Sequence, residues 1–317
     1  MKPSAARGSF SKRVDRAADL LRIALVSARV ARDTDFDLPP LDAALRAAGA
    51  EPHVADWDDE SVAWHTFDVA LLRSTWDYSV RHAEFLAWTE RVSSVTTLLN
   101  PQSVIRWNTD KHYLLDLERA QVPVIPSQAI EPGETVSVAI ERFVAAHRDA
   151  EIVVKPAVGA GARDVQRYER AHLGPMAAHA QRLLDAGRSV LLQPYLQSVD
   201  WHGESALIYF AGRFSHSVRK GPLLRRGGLS SQTLFADEDI SARSPTPDEL
   251  NVAQQALAAI PLGVPLYARI DLIRSASGAP WVLEIELTEP SLFFAYAPGS
   301  AARFADAILA ACKRLCR

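Results

Sequence analysis

Apolar and polar positions follow two regimes along the chain. In the first hundred residues, short apolar runs alternate with stretches of helical spacing. LRIALVS (21–27) reads as a strand, LDAALRAAGA as a helix stopped at Gly49, and DVALLRS (68–74) as a second strand. HAEFLAWTERV continues as a helix that leads into LLNP. This order predicts a small parallel α/β lobe over residues 21–100, with the strand ends facing a ligand. Residues 1–20 carry basic side chains and no apolar run, so they are expected to be a flexible tail or a mis-assigned start, not a secretory signal.

From Asn108 the pattern changes. TDKHYLLDLERAQ predicts a helix capped by Thr109 or Asp110, VPVIPS an extended stretch, EIVVK a strand ending on a lysine, and SVLLQPYL another strand. SALIYFAGRFSHSVRK reads as two strands around an Ala211–Gly212 turn, and TPDELNVAQQALAAI as a helix with acids in its first turn. YARIDLI and WVLEIEL, joined by a Ser/Gly turn, read as a hairpin. The region is therefore α+β with mostly antiparallel sheet, and no long linker or internal repeat interrupts it.

Composition narrows the partner. A chain of 317 residues that is 48% hydrophobic can bury a sizeable core, and a net charge of -3 without a polybasic block argues against nucleic acid or a membrane surface. No apolar run approaches the roughly 18 residues of a spanning helix. A small molecule is favoured. Cys312 and Cys316, four apart near the end, form neither a disulfide framework nor a metal site, and a reducing cytoplasm is the expected setting.

Candidate chemistry concentrates in the hairpin. A period of two places Glu284 and Glu286 on one face of one arm, with Asp271 on the other arm. Three carboxylates on one face repel unless a cation neutralises them, and carboxylate oxygens suit Mg²⁺. A solvated outer face is the plainer alternative, but Arg269 falls on the Asp271 face and Lys111 and Lys155 lie upstream. Lys155 ends a strand, where its ammonium can be aimed at a phosphate, and VGAGARDV offers backbone N–H groups beside it. That loop is neither a P-loop nor G-x-G-x-x-G, and taken alone it reads better as a plain turn; its weight comes from the combination with the lysines and acids. In LLRSTWDY, Arg73 ends a predicted parallel strand with Ser74, Thr75 and Asp77 close behind. This group suits a substrate carboxylate, or else Arg73 pairs with Asp77. His65, His112, His202 and His216 have no metal-ligand spacing.

Taken in order, TDKHYL, IVVKPAVGAGARDV, LLQPYLQSVDWHGES, SVRK, ARIDLI and LEIELTEPS resemble the ATP-grasp superfamily of carboxylate-amine ligases over about residues 100–295. LLRSTWDY, RWNTDKHYL and ELTEPS are most similar to the branch that contains the D-cycloserine-forming cyclo-ligase. The resemblance implies an ATP-grasp fold: an N-terminal parallel α/β lobe followed by two α+β subdomains that clamp ATP, a lid over about 125–195 and a catalytic subdomain over about 196–317. Lys111 and Lys155 would hold the ATP phosphates, Gly159, Ala160, Gly161 and Ala162 would cover them, and Gln193, Pro194, Tyr195 and Leu196 would read adenine. The ribose falls to Asp200 or Glu204, which spacing leaves open. Asp271, Glu284 and Glu286 match the ligands of two Mg²⁺, for which Mn²⁺ can substitute, although the family usually has Asn at the position of Glu286. Arg269 and Arg219 would hold the transferred phosphoryl group, and Glu289 and Ser291 would face an amino-acid-like substrate.

The implied activity is ADP-forming activation of a small-molecule carboxylate as an acyl phosphate for attack by an amine, within one molecule or between two. A nucleotide-binding regulatory protein without turnover, or a ligase acting on a peptide or protein, are the alternatives. A homodimer is one expected assembly, fixed by no sequence feature.

Overall fold

In the computed structural model, which describes residues 20–224 and 239–315, the first apolar run forms β1 (Leu21–Ser27) inside a parallel sheet. The expected tail, apart from Leu20, and Cys316 lie outside the described residues. Helix α1 (Leu38–Ala47) follows, burying Leu38, Leu41 and Leu45 along one stripe and ending before Gly49, whose φ of +82° suits a residue without a Cβ. Strands β2 (Ala50–Asp56) and β3 (Val69–Ser74), helix α2 (His82–Ser93) and β4 (Thr97–Leu99) complete a sheet of order β2-β1-β3-β4. The hydrophobic pattern does not reveal β2, because Pro52 and His53 interrupt it. Its place at the sheet edge is where a strand tolerates proline.

Helices α3 (Gln102–Asn108) and α4 (Tyr113–Arg119) replace the single capped helix predicted there. Thr109 closes α3, and α4 starts after His112, so neither Thr109 nor Asp110 is its N-cap. Asp110 instead accepts the His112 backbone N–H at 3.0 Å, turning the chain between the two helices.

A second sheet is antiparallel. It is built from β5 (Gln128–Ile130), β6 (Glu151–Pro156), β7 (Gln166–Glu169) and β8 (Val190–Pro194), in the order β5-β8-β6-β7. Helices α5 (Val136–Ala146) and α6 (Leu173–Asp185) bury Ile140, Phe143, Met176 and Leu183 against Ile152, Val154 and Leu192 of its strands.

After the short α7 (Val199–His202) comes the third sheet, with β9 (Glu204–Phe210), β10 (Arg213–Lys220), β11 (Ile240–Ala242), β12 (Tyr267–Arg274) and β13 (Pro280–Glu286) in the order β11-β10-β9-β12-β13. Alternation along these strands divides its two faces. Leu207, Tyr209, Ile270, Leu272 and Ile285 pack with α4 and α8 (Pro247–Ala258). On the other face, Ala206, Ile208, Phe210 and Val218 pack with α1, β1 and α9 (Ser300–Leu315) at one end, and charged residues occupy the other end. No helix among the described residues is long and apolar enough to cross a membrane.

Two buried asparagines tie the first lobe to this sheet. Asn100 donates to the carbonyls of Tyr267 (3.0 Å) and Leu287 (2.8 Å) and accepts the Leu266 N–H at 2.6 Å. Asn108 bridges Ile285 and Leu287 in the same manner. Asn100→Ala strands three backbone groups away from water, so it is expected to lower unfolding free energy by on the order of 3 kcal/mol in a denaturant titration. A midpoint equal to wild type would show that the lobes are held together elsewhere.

Candidate active site

Residue pairing across the third sheet creates a row of charges. Lys220 stands opposite Glu204, Arg269 opposite Glu286 and Asp271 opposite Glu284, and a register shift follows Asp271. The Lys220 ammonium reaches Asp271 at 2.9 Å and Glu204 at 3.0 Å. Arg269 grips Asp271 through Nε (2.8 Å) and Nη2 (2.9 Å), and its Nη2 also donates to Glu286. From α4's approach, Lys111 pairs with Glu284 at 2.9 Å and donates to the Gly159 carbonyl at 2.8 Å. Glu204, Lys220, Asp271, Arg269 and Glu286 therefore alternate in sign across four strands. Burial alone would push the Asp271 carboxyl upward, but Arg269 and Lys220 hold it below the ordinary carboxylate range.

The row forms one wall of a cleft of about 680 Å³ between the three sheets. One end of it is apolar: Ile125, Val153, Leu196, Val199, Ile273 and Leu283 surround a slot beside Gln193, Pro194 and Tyr195. Tyr195 is braced by the Arg167 guanidinium, which lies 3.4 Å from its ring centroid. Gly159, Ala160, Gly161 and Ala162 line the same cleft, with Gly161 and Ala162 at positive φ. Asp164 anchors this loop to Arg188 (2.7 Å) and Arg182 (3.2 Å). Lys155 ends β6 under the loop. Burial, reinforced by Lys111 and opposed by Glu284, pushes its pKa down to about 8.

The structure separates several candidates of the sequence reading. Arg219 does not enter the cleft: it alternates with Lys220, so its guanidinium turns away to the His202 carbonyl (2.9 Å) and Asp239 (3.1 Å). Lys220 takes the cleft-facing position, which the same SVRK segment and the period of two could have indicated. Of the two ribose candidates, Glu204 lines the cleft, whereas Asp200 accepts from Tyr195 Oη at 2.5 Å outside it. Arg73 is fully buried and does not pair with Asp77; its Nη2 donates to the Pro290 carbonyl at 2.8 Å. Asp77 accepts instead from Trp57 Nε1 at 2.8 Å and from Arg81. Ser74 bonds Ser27 at 2.8 Å, and Thr75 is buried, so neither faces the cleft.

Glu289 and Ser291 do line it, beside Trp76, Tyr78 and the loop Thr34–Asp37, which the sequence reading passed over. Glu289 is raised to about 8 by burial and by the neighbouring Glu286, with the Tyr78 hydroxyl donating to it. Asp37 fastens the Glu289 segment to the first lobe: its carboxylate accepts the backbone N–H groups of Leu292 (2.5 Å), Phe293 (3.0 Å) and Phe294 (2.8 Å). Phe293 has a φ of +56° there.

Among the described residues, no three Asp, Glu, His or Cys side chains form a cage for a metal ion. Both Asp271 oxygens are taken by Arg269 and Lys220, so the expected trio does not converge. Glu284 and Glu286 remain open to the cleft, with 26% and 28% of their side-chain surfaces exposed. One or two carboxylates beside polyphosphate oxygens is how Mg²⁺ is ordinarily held, so these two residues fit it.

Comparison with known proteins agrees with this geometry. Residues 23–100 match the family described as D-cycloserine synthetase DcsG, N-terminal domain. The cycloserine biosynthesis protein DcsG of Streptomyces lavendulae is 44% identical over 293 residues, covering 90% of this chain and 97% of that protein. A crystal structure of D-cycloserine synthetase DcsG superposes with a TM-score of 0.87 at 42% identity, over 92% of this chain and 99% of that one. The ATP-grasp ligase PsnB, solved with a minimal precursor, Mg and ADP, has a TM-score of 0.60 at 21% identity, over 92% and 98% of the two chains, and shares the fold.

Lys155 supplies a proton-linked test. A polyphosphate beside it favours the ammonium, so ATP binding at pH 8.5 is expected to take up a fraction of a proton, and affinity to fall as pH rises through about 8. Calorimetry in buffers of different ionisation enthalpy measures the uptake. Lys155→Met should abolish it; unchanged uptake in that variant would assign the proton to another group.

Proposed function

This chain belongs to the D-cycloserine synthetase family of ATP-grasp ligases and is an ATP-dependent ligase, and we propose that it closes the ring of a cycloserine-type product from an amino acid whose side-chain oxygen carries a nucleophilic nitrogen. The alternating charge row beside an apolar nucleotide slot carries this reading. A carboxylate resists nucleophiles until one of its oxygens becomes part of a good leaving group. Transfer of the ATP γ-phosphoryl group to the substrate carboxylate makes an acyl phosphate and releases ADP. The side-chain nitrogen then attacks the acyl carbon, the C–N bond forms, the C–O bond to phosphate breaks, and the nitrogen loses its proton.

The residues divide this work. Ile125, Val153, Ile273 and Leu283 enclose the base, Gln193 to Leu196 present backbone groups at its edge, and Glu204 is the ribose contact. Lys111 and Lys155 balance the phosphates under the Gly159–Ala162 loop. Glu284 and Glu286 would hold Mg²⁺, which supplies neutralisation of phosphate charge. Arg269 is placed to stabilise the transferred phosphoryl group and the tetrahedral oxyanion, because a guanidinium offers two parallel donors to such oxygens. Lys220 takes the second cationic position in place of Arg219. Glu289 and Ser291 face the amino acid. The demand for ATP supports a cytoplasmic setting.

The test is ADP release with Mg²⁺ over a panel of aminooxy and ureido derivatives of serine and of ordinary amino acids, with the products weighed by mass spectrometry. Ring closure predicts a product lighter than its aminooxy substrate by one water. ADP without a cyclised product, or a linear amide, would overturn the reading. Within the active panel, Glu284→Gln is expected to lower kcat on the order of 100-fold at a temperature where circular dichroism shows it folded, whereas Glu286→Asn, which keeps an oxygen ligand, should retain most activity. Full activity of Glu284→Gln would remove that residue from the reacting centre.

A further inference from the structure

Ring closure leaves one charged handle untouched. Cycloserine keeps a primary amine, while the substrate's single carboxylate becomes the ring carbonyl, so the α-ammonium is the one charge that persists from substrate to product. Gripping it requires a carboxylate oxygen that no donor already occupies. Among the described residues, the cleft-lining carboxylates are Asp35, Asp37, Glu204, Glu284, Glu286 and Glu289. Glu204 pairs with Lys220, Glu284 with Lys111 and Glu286 with Arg269. Asp37 uses both oxygens on the backbone of Leu292 to Phe294. Glu289 takes the Tyr78 hydroxyl.

Asp35 differs from all of these. It is 4% exposed, its Oδ1 accepts the Asp37 N–H at 3.0 Å, and its Oδ2 is buried with no donor among the described residues, because Ser27 donates to the Ala28 carbonyl and the neighbouring Ser74 hydroxyl therefore spends its proton on Ser27. A buried carboxylate oxygen without a donor is costly, and such an atom in a cleft wall is completed by a ligand that donates. Its position agrees. Asp35 follows β1, next to the end of β3, where the strand order of the parallel sheet reverses and α/β lobes receive ligands. The peptide is held rigidly: the Asp35 N–H donates to Ala31 at 3.1 Å, the Asp35 carbonyl accepts from Leu38 at 3.2 Å, and Asp37 locks the same turn to the Glu289 segment.

We propose that Asp35 binds the α-ammonium group of the amino-acid substrate, so that this wall of the cleft selects substrates with a free primary amine. Arg73 then acts from behind. Burial, with Asp37 beside it, holds the Asp35 carboxyl above its ordinary range, and the fully buried Arg73 guanidinium, whose Nε and Nη1 have no partner among the described residues, opposes this and draws it toward the ionised form that an arriving ammonium completes. A substrate blocked at nitrogen loses the charge and adds bulk at a carboxylate with no room around it.

The inference rests on the cyclo-ligase reading for the identity of the amino acid, and a binding experiment separates the two. D-cycloserine and its desamino analogue isoxazolidin-3-one are titrated into wild type and Asp35→Asn by calorimetry, alongside ATP. Wild type is expected to prefer D-cycloserine by at least about tenfold, and Asp35→Asn to reduce that preference to about twofold or less, with ATP affinity unchanged. Asn keeps the acceptor for the Asp37 N–H, so the fold is retained, and an unaltered thermal midpoint confirms it. Equal binding of the two compounds by wild type, no binding of either, or a preference that survives in Asp35→Asn would each overturn the assignment. Asp35-dependent preference in a protein that fails to cyclise aminooxy acids would keep the ammonium site and discard the ring-closing reading.

Discussion

Ions buried on one face of a sheet must balance, because withdrawing each from water costs several kcal/mol unless a partner of opposite sign lies in contact. Glu204, Lys220, Asp271, Arg269 and Glu286 meet this demand as a row across four strands, with Glu284 and Lys111 closing it from the side. Packing follows from the row. The opposite face of the same strands packs mainly apolar side chains against α4 and α8, with Ser205 bonding the buried Glu249 of α8, and the far end of the charged face is sealed by α1, β1 and α9. The ion pairs stabilise the fold little beyond their own desolvation, but they preorganise donors and acceptors around a point where a polyphosphate brings new charge. Lys111, Lys155 and Arg269 are already buried in the cleft wall and need not enter it from solvent.

The first lobe contributes geometry to that wall. Asp37 occupies the position before α1 yet bonds three successive N–H groups of the Glu289 segment, and Asn100 and Asn108 clasp the ends of β12 and β13. Cleft-lining residues from the loops after the parallel strands and charged residues from the antiparallel sheet are thereby held as one surface. Positioning of this kind is the larger part of catalysis when the chemistry is phosphoryl transfer and ring closure.

Much of this was legible in the sequence where a period repeats. The β12–β13 hairpin, the β9–β10 pair and the face shared by Asp271, Glu284 and Glu286 follow from strict alternation. The same rule, applied to Arg219 and Lys220, separates the residue that reaches the cleft from the one that turns away. Loop chemistry was less legible. Asp35 and Asp37 lie in a connection with no period, and only the fold shows that they meet residues 289–294, some 250 positions later. Arg73 looked like a ligand contact because it ends a parallel strand, but its side chain points beneath the cleft floor to Pro290. Asp271 looked like a metal ligand, and three-dimensional packing gives both of its oxygens to Arg269 and Lys220 instead.

The account turns on formation of an acyl phosphate within this charge row. Turnover with substrate whose carboxylate carries ¹⁸O tests it most directly. One labelled oxygen per turnover should leave in inorganic phosphate, because the bond that breaks joins the acyl carbon to an oxygen of the original carboxylate. Ring product accompanied by unlabelled phosphate, or by label in AMP, would contradict the account.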